Sequence, residues 1–373
     1  MADIPAITLP DDLIPGDGRF GSGPSKVDNA AVAALAATGA GYLGTSHRQP
    51  TVRRTVGRVR GGLAELYELP DGYEVVLGVG GATAFWDCAA FGLIEHRSQH
   101  LSFGEFSSKF AKVTEAAPHL EEPEVIIAEP GTHPLPAASD AVDAYALTHN
   151  ETSTGVTMPI ARPDGADGLV LVDATSAAGA IAVDPEEFDV YYFSPQKAFG
   201  SEGGLWVALC SPAAVARIEA VAASGRWIPA FLSLQQAVEN SRKDQTYNTP
   251  SLATVFLLAH QVERMLGLGG LRWAIDRSAR SSSTVYDWAG SRDFASPFVA
   301  DPAMRSPTVV TVDFVPEISA DTIQAVLRAN GVVDTFGYRK LGRNQLRISC
   351  FPNIEPDDVA TLTAAIDHVV AKL

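Results

Sequence analysis

Through the first two thirds of the chain, apolar residues fall into short runs: Tyr73–Val79, Glu124–Ala128, Ala141–Thr148, Leu169–Val172, Val190–Phe193 and Leu205–Leu209. Most are continuous and do not alternate strictly, which is the pattern of strands buried on both faces of a mostly parallel sheet. Helical spacing lies between them, beginning near Asn29, again from Thr51 to Leu66, and from about Ala84 to Ile94 after a glycine turn. Residues 1–25 are rich in breakers and poor in periodicity, so they read as an extended arm. Helical periodicity dominates from Pro212 to about Trp288. A strand at Val309–Phe314, a helix at Ala320–Asn330, a strand at Gln345–Phe351 and a helix from Pro356 follow, the signature of a smaller α+β unit. The pattern predicts an α/β protein with an arm over 1–20, a large domain over 21–265 with a mostly parallel sheet, and a small C-terminal α+β domain over 266–373. No internal repeat is present.

Composition narrows the function. With 373 residues, 46% hydrophobic and 19% charged, the chain has enough apolar mass for two cores and is not of the disordered class. A formal charge of −16 argues against nucleic acid and anionic membranes as partners. It leaves room for anionic small molecules, because a few arginines can dominate one pocket. Cys88, Cys210 and Cys350 are too widely separated for a disulfide framework or a close-spaced metal motif, so no metal is expected and a reducing compartment fits. Met1 to Pro15 lacks the basic-then-apolar order of an export signal, and no apolar stretch approaches roughly 18 residues. The expectation is a cytoplasmic protein.

Three segments carry candidate chemistry. In Val190-Tyr-Tyr-Phe-Ser-Pro-Gln196-Lys197, a lysine follows an apolar strand and precedes a glycine-rich stretch. An arbitrary loop lysine is solvated, but a strand end in a parallel sheet opens on the crevice where such folds place ligands. Partial desolvation there favours the neutral, nucleophilic amine. In Leu169-Val-Leu-Val-Asp173-Ala-Thr-Ser, an aspartate ends another buried strand 24 positions before Lys197. Alone it reads as a helix cap; paired with Lys197 it reads as the carboxylate that keeps a pyridine nitrogen protonated. In Gly78-Val-Gly80-Gly81-Ala82-Thr83, a strand enters a glycine turn and then a helix, whose first N–H groups can hold a phosphate. A dinucleotide fingerprint would need its third glycine where Thr83 stands, and no acidic residue ends a second strand at the expected distance.

Together with Thr45-Ser-His47-Arg48, His149-Asn-Glu-Thr152-Ser-Thr-Gly155 and Tyr247-Asn248-Thr249-Pro250, these segments resemble the phosphoserine aminotransferase family, of the fold-type I, class-V pyridoxal-phosphate enzymes. The resemblance runs from Phe20-Gly-Ser-Gly-Pro to Arg347-Ile-Ser. It implies that Lys197 bears pyridoxal 5'-phosphate and moves the substrate's α-proton, and that Asp173 pairs with the ring nitrogen. It implies Phe106 as the aromatic residue stacked on the cofactor, a place often held by Trp, and Thr152 at the phenolic oxygen. Ala82, Thr83 and Gln196 would hold the phosphate, joined by Asn248 and Thr249 from the other subunit of a homodimer. On the substrate side, His47-Arg48 matches the position that grips an α-carboxylate, and Tyr338, Arg339 and Arg347 match segments that hold the substrate phosphate. Many relatives carry His where Tyr338 stands, so the donor pattern there departs from the family.

The activity implied is transamination between O-phospho-L-serine and 2-oxoglutarate, giving 3-phosphooxypyruvate and L-glutamate, in serine biosynthesis. The resemblance also allows 4-phosphohydroxy-L-threonine, in pyridoxine biosynthesis. Two rivals stand beside it. Another fold-type I aminotransferase, or a desulfurase, would share the fold; a desulfurase needs a mobile reactive cysteine, and Cys350 lies in an apolar strand pattern. A non-catalytic nucleotide-binding module would use the turn at Gly78–Thr83 and bind no coloured cofactor.

Overall fold

The computed structural model describes residues 4–373; Met1–Asp3, the first residues of the expected arm, lie outside the described residues. From Ile4 to Pro24 the chain is mostly irregular, with one short 3-10 turn at Asp11–Leu13. Among the described residues, twelve strands follow in chain order: β1 (Glu74–Val79), β2 (Ser98–Ser102), β3 (Glu124–Ile127), β4 (Ala144–Thr148), β5 (Asn150–Glu151), β6 (Val156–Thr157), β7 (Leu169–Asp173), β8 (Val190–Phe193), β9 (Leu205–Cys210), β10 (Ala295–Pro297), β11 (Val309–Phe314) and β12 (Gln345–Ser349). The α-helices of the described residues are α1 (Asn29–Ala37), α2 (Pro50–Leu66), α3 (Gly81–Gly92), α4 (Glu105–Ala116), α5 (Pro212–Ala223), α6 (Leu234–Ser241), α7 (Leu252–Gly267), α8 (Gly270–Gly290), α9 (Ala320–Ala329) and α10 (Pro356–Val370).

Seven strands form one sheet in the order β1-β9-β8-β7-β4-β2-β3. All pairs are parallel except the two that β9 makes, with β1 and with β8. The continuous apolar runs are explained by what covers them. Alternate residues of β7, β8 and β9 divide between two clusters: Val170, Val172, Tyr191, Phe193 and Val207 pack with α2 and α7, while Leu169, Leu171, Val190, Tyr192 and Ala208 pack with α3, α5 and α6. The pleat turns successive side chains to opposite faces, and both faces are dry. A three-stranded antiparallel sheet, β10-β11-β12, with α8, α9 and α10, builds a third cluster, which Leu9 and Phe20 of the N-terminal segment join.

Some elements depart from the expectations. β2 was absent from the apolar reading because its sequence, Ser-Gln-His-Leu-Ser, is polar, yet Ser98, Gln99 and His100 are buried. Their polar groups are paired internally: His100 Nε2 lies 2.9 Å from Ser98 Oγ and 3.0 Å from Thr114 Oγ1, and Gln99 reaches Glu124 and the Ala137 carbonyl. Burial holds the His100 imidazole neutral, its pKa depressed to about 3. β4 starts at Ala144 and not at Ala141. Asp143 precedes it as a hub whose carboxylate accepts the N–H groups of Glu95, His96 and Arg97. α3 starts at Gly81, three residues before the expected Ala84, and the Pro212–Trp288 stretch divides into four helices.

Candidate active site

The three central parallel strands β4, β7 and β8 end side by side, and each hands its next residues to one cavity of about 390 Å³. β4 supplies Thr148 and then Asn150 and Thr152; β7 supplies Asp173 and then Thr175 and Ser176; β8 is followed by Ser194, Gln196 and Lys197. β1 runs in the same direction and delivers Gly80, Gly81, Ala82 and Thr83 to the same opening. This is the carboxyl end of an open α/β sheet, where ligands collect.

Lys197 is buried, and its Nζ donates to Thr152 Oγ1 at 2.6 Å. Desolvation, aided by the nearby Arg347 cation, brings its pKa down from 10.5 to about 7, which favours the neutral amine far more than in an exposed lysine. The Thr152 hydroxyl in turn donates a hydrogen bond to Ser176 Oγ at 2.8 Å, and Ser176 is held by Asn150. Asp173 is buried as well. Burial raises its proton affinity, opposed by the Thr175 N–H on Oδ1 (2.9 Å), by Lys197, and by the Trp86 indole on Oδ2 (3.3 Å).

At the phosphate end, Gly80 takes φ +109°, a left-handed conformation that turns β1 sharply into α3. Among the described residues no side chain caps α3, so its first N–H groups, at the cavity's edge, lack a capping partner there. Gly78, by contrast, has a packing reason: a Cβ there would lie 2.1 Å from the Trp206 ring. The Gly78-Val-Gly80 pair is therefore not a dinucleotide fingerprint.

Phe106 lines the cavity with its ring centroid 5.4 Å from Lys197 Nζ and meets Tyr338 edge-on at 6.0 Å. Its backbone is held by Glu151, a fully buried carboxylate that accepts the N–H groups of Phe106 (3.1 Å) and Ser107 (2.9 Å) and both groups of Ser153. Arg347 also lines the cavity. Its Nη1 donates to the Thr152 carbonyl at 3.1 Å, and its Nε is buried without a partner among the described residues.

The fit to pyridoxal phosphate can be judged from buried polar atoms that lack protein partners. Ser22 Oγ, Asn150 Oδ1, Thr175 Oγ1, Gln196 Oε1 and Arg347 Nε all belong to residues lining this one cavity. Unpaired buried polar atoms are costly, so five around one space mark it as built for a polar ligand. An uncapped helix start for phosphate, an amine for the aldehyde carbon, a carboxylate for the ring nitrogen and an aromatic face match the parts of that cofactor.

Not every expected residue arrives here. His47, Arg48, Asn248 and Thr249 do not line the cavity. They form a separate patch, in which Thr249 Oγ1 and His47 Nδ1 share a 3.1 Å hydrogen bond while Arg48, Asn248 and Thr249 are exposed. Arg339 is exposed too. The 3-10 turn at Arg339–Leu341 brings Tyr338 to the cavity and leaves Arg339 beside Arg343 at a different surface. Sequence reasoning also missed residues that the fold brings in. Ser22 and Gly23 approach Lys197 from the N-terminal segment, and Trp86 reaches in from the second turn of α3. An aromatic residue in Ala-Phe-Trp reads as core, and nothing local reveals that α3 faces β7.

Among the described residues, no helix is long and apolar enough to cross a membrane, and no group of three or more His, Cys, Asp or Glu could hold a metal ion. All three cysteines are free and buried, and burial pushes the Cys350 thiol far above its ordinary range, the reverse of a reactive desulfurase cysteine.

Comparison with known proteins agrees with this geometry. The class-V aminotransferase family model matches residues 21–340. A curated phosphoserine aminotransferase from Nocardioides sp. is 60% identical over 99% of both chains, and a putative one from Mycolicibacterium paratuberculosis is 58% identical over the full length of both. The crystal structure of a phosphoserine aminotransferase from Cytophaga hutchinsonii superposes with a TM-score of 0.86 at 25% identity, covering 94% of this chain and 99% of that one. The chain belongs to the class-V aminotransferases, which use pyridoxal phosphate, and within them to the phosphoserine aminotransferase family.

Proposed function

We propose that the chain interconverts O-phospho-L-serine plus 2-oxoglutarate and 3-phosphooxypyruvate plus L-glutamate. The observation that carries this reading is Lys197, Asp173 and Arg347 in one buried cavity, within a chain 60% identical to a phosphoserine aminotransferase. Pyridoxal phosphate, when bound, supplies the carbonyl that takes the amino group and the ring that takes up the electron pair left at Cα. The rest belongs to the chain. Lys197 holds the cofactor and, once displaced by the substrate amine, removes the proton from Cα and returns it; a pKa near 7 suits it to both tasks. Asp173 keeps a negative charge at the ring nitrogen. Thr152, fixed between Lys197 and Ser176, stands at the phenolic oxygen, and Phe106 offers the face for stacking.

For the substrate, the geometry favours exchanging two roles in the sequence-based expectation. Lys197 must reach Cα, and the α-carboxylate is one bond from Cα. Arg347, close enough to depress the lysine's pKa, is thus placed for the carboxylate of phosphoserine and glutamate alike. His47, Arg48 and Arg339 are left for the far, phosphate end. We propose that His47, Arg48, Asn248 and Thr249 enter the cavity of a second copy in a two-fold dimer, since within one subunit they lie together and outside it. The division into an arm, a large domain over 21–265 and a small one over 266–373 belongs to the same proposal, supported by the separate C-terminal core. A reducing, cytoplasmic setting is supported by three free, buried thiols.

The test is substrate choice. Glutamate formation from 2-oxoglutarate should proceed with phosphoserine and be far slower with serine or alanine at equal concentration. Equal rates with alanine would replace this reading with that of a general aminotransferase on the same fold.

A further inference from the structure

Asp173 presents two oxygens, and each already accepts one hydrogen bond from the chain: Oδ1 from the Thr175 N–H at 2.9 Å, Oδ2 from the Trp86 indole Nε1–H at 3.3 Å. The first donor is the backbone of the turn after β7. The second comes from another element, α3, whose first turn forms the phosphate end of the cavity. Trp86 is held firmly. It is 4% exposed, and its ring lies nearly parallel to Phe110, centroids 6.4 Å apart at 15°. Such an indole presents its N–H in one direction, toward the Asp173 carboxylate, with the Tyr192 phenol as the other neighbouring acceptor.

We propose that Trp86 is a positioning residue for the transamination, its indole N–H holding the Asp173 carboxylate in the rotamer and the charged state that a pyridine nitrogen requires. The inference rests on the assignment of Asp173 to that nitrogen. Two physical needs support it. A carboxylate free to rotate would meet the ring nitrogen in only part of its conformations, and two donors on opposite oxygens fix its plane while leaving lone pairs open to the cavity. Burial also drives Asp173 toward the neutral acid, the wrong form for holding a proton on the ring, and each donor on the anion works against this. The other titratable groups nearby do not replace the indole. Lys197 faces Asp173 across the cavity, and Tyr191 and Tyr192 lie on the neighbouring strand with burial holding both phenols protonated. His149, kept neutral by burial, touches Asp173 through the backbone, its own N–H on the Asp173 carbonyl. By linking α3 to β7, Trp86 couples the phosphate end of the site to the ring-nitrogen end. A tryptophan serving only as core filler would need no carboxylate partner, and its nitrogen would more ordinarily meet a carbonyl.

The experiment compares Trp86→Phe with Trp206→Phe, a buried indole in the same apolar cluster that makes no hydrogen bond to Asp173. Two quantities are measured: the affinity of the apoprotein for pyridoxal phosphate, and the pH midpoint of the visible band of the loaded protein. Trp86→Phe should weaken cofactor binding by about three- to tenfold, the range for losing one ordinary hydrogen bond, since this contact is long at 3.3 Å. It should also move the midpoint upward by about half a unit or more, because a carboxylate that draws the ring proton to itself leaves the ring less positive. Trp206→Phe should lower thermal stability and leave both quantities in place. Should Trp86→Phe fail to fold, β-(3-benzothienyl)alanine at position 86 keeps the shape and removes only the N–H, and the same two shifts are expected. Unchanged affinity and midpoint in a folded variant, with Asp173→Asn strongly impaired in both, would overturn the role of Trp86 alone. Unchanged values in Asp173→Asn would overturn the assignment of Asp173 and this inference with it.

Discussion

Arg347 and Arg48 both await an anion, and the fold treats them in opposite ways. Arg347 is buried, fixed to the Thr152 carbonyl and close to the lysine that does the chemistry. Arg48 sits exposed beside His47 and Thr249, outside the cavity it is expected to serve. A cation that meets every substrate can be built permanently into the subunit. One that grips the far end of a substrate has to arrive from elsewhere, and a second subunit is the economical source. On the proposed reading, the first region is complete in one chain and the second acquires its function on assembly.

The sharpest break between the regions comes from removing the group at the centre of the first. Lys197→Ala should abolish turnover with both amino acids, while thermal unfolding of the apoprotein stays cooperative because the lysine faces a cavity. Turnover above background would place the chemistry on another residue. A double substitution of Asn248 and Thr249 to Ala should also be inactive alone. Mixed with Lys197→Ala under verified subunit exchange, it should regain part of the activity, through the heterodimer's one intact site. No regain would return the second region to its own subunit.

Smaller effects separate the two arginines. Arg347→Leu should lower kcat/KM for phosphoserine and glutamate together, by about 10- to 100-fold for one charge-assisted contact. Arg48→Leu should spare glutamate relative to phosphoserine. If Arg347→Leu impaired phosphoserine alone, its role would be at the phosphate, as the sequence first suggested. The pH response sharpens the first region further. Because the Lys197 pKa is lowered, the amine is protonated below about 7 and free above it. The rate at which apoprotein captures pyridoxal phosphate should therefore rise with a midpoint near pH 7. A midpoint near the ordinary lysine value of 10.5 would deny the desolvation. Tyr338→Phe should have the least effect, since the Tyr338 ring already packs against Phe106 and faces the Arg347 cation at 5.5 Å without its hydroxyl.

The same contrast shows what could be read from the sequence. Lys197 and Asp173 were legible because one follows and the other ends a buried strand, and an apolar run that stops at a polar residue marks a sheet edge; Thr152 came from the family resemblance alone. Burial on both faces was legible from the unbroken apolar runs of β7, β8 and β9, and the parallel order that such runs suggest holds for β7 and β8 but not for β9, which pairs antiparallel with both neighbours. β2 was not, since its burial depends on pairing Gln99 and His100 with groups distant in sequence. Trp86 and Ser22 were not, because their place at the cavity follows from which element packs against β7 and where the N-terminal segment returns. The separation of Arg339 from Tyr338 depended on a single 3-10 turn, too short to leave a periodic signal.

The central claim is that one lysine among all those in the chain bears the cofactor. Purified protein loaded with pyridoxal phosphate can be reduced with borohydride, digested, and mapped by mass spectrometry. The account predicts the added pyridoxyl-phosphate mass on the peptide containing Lys197 and on no other. The mass on a different lysine, or on none despite a visible band before reduction, would contradict it.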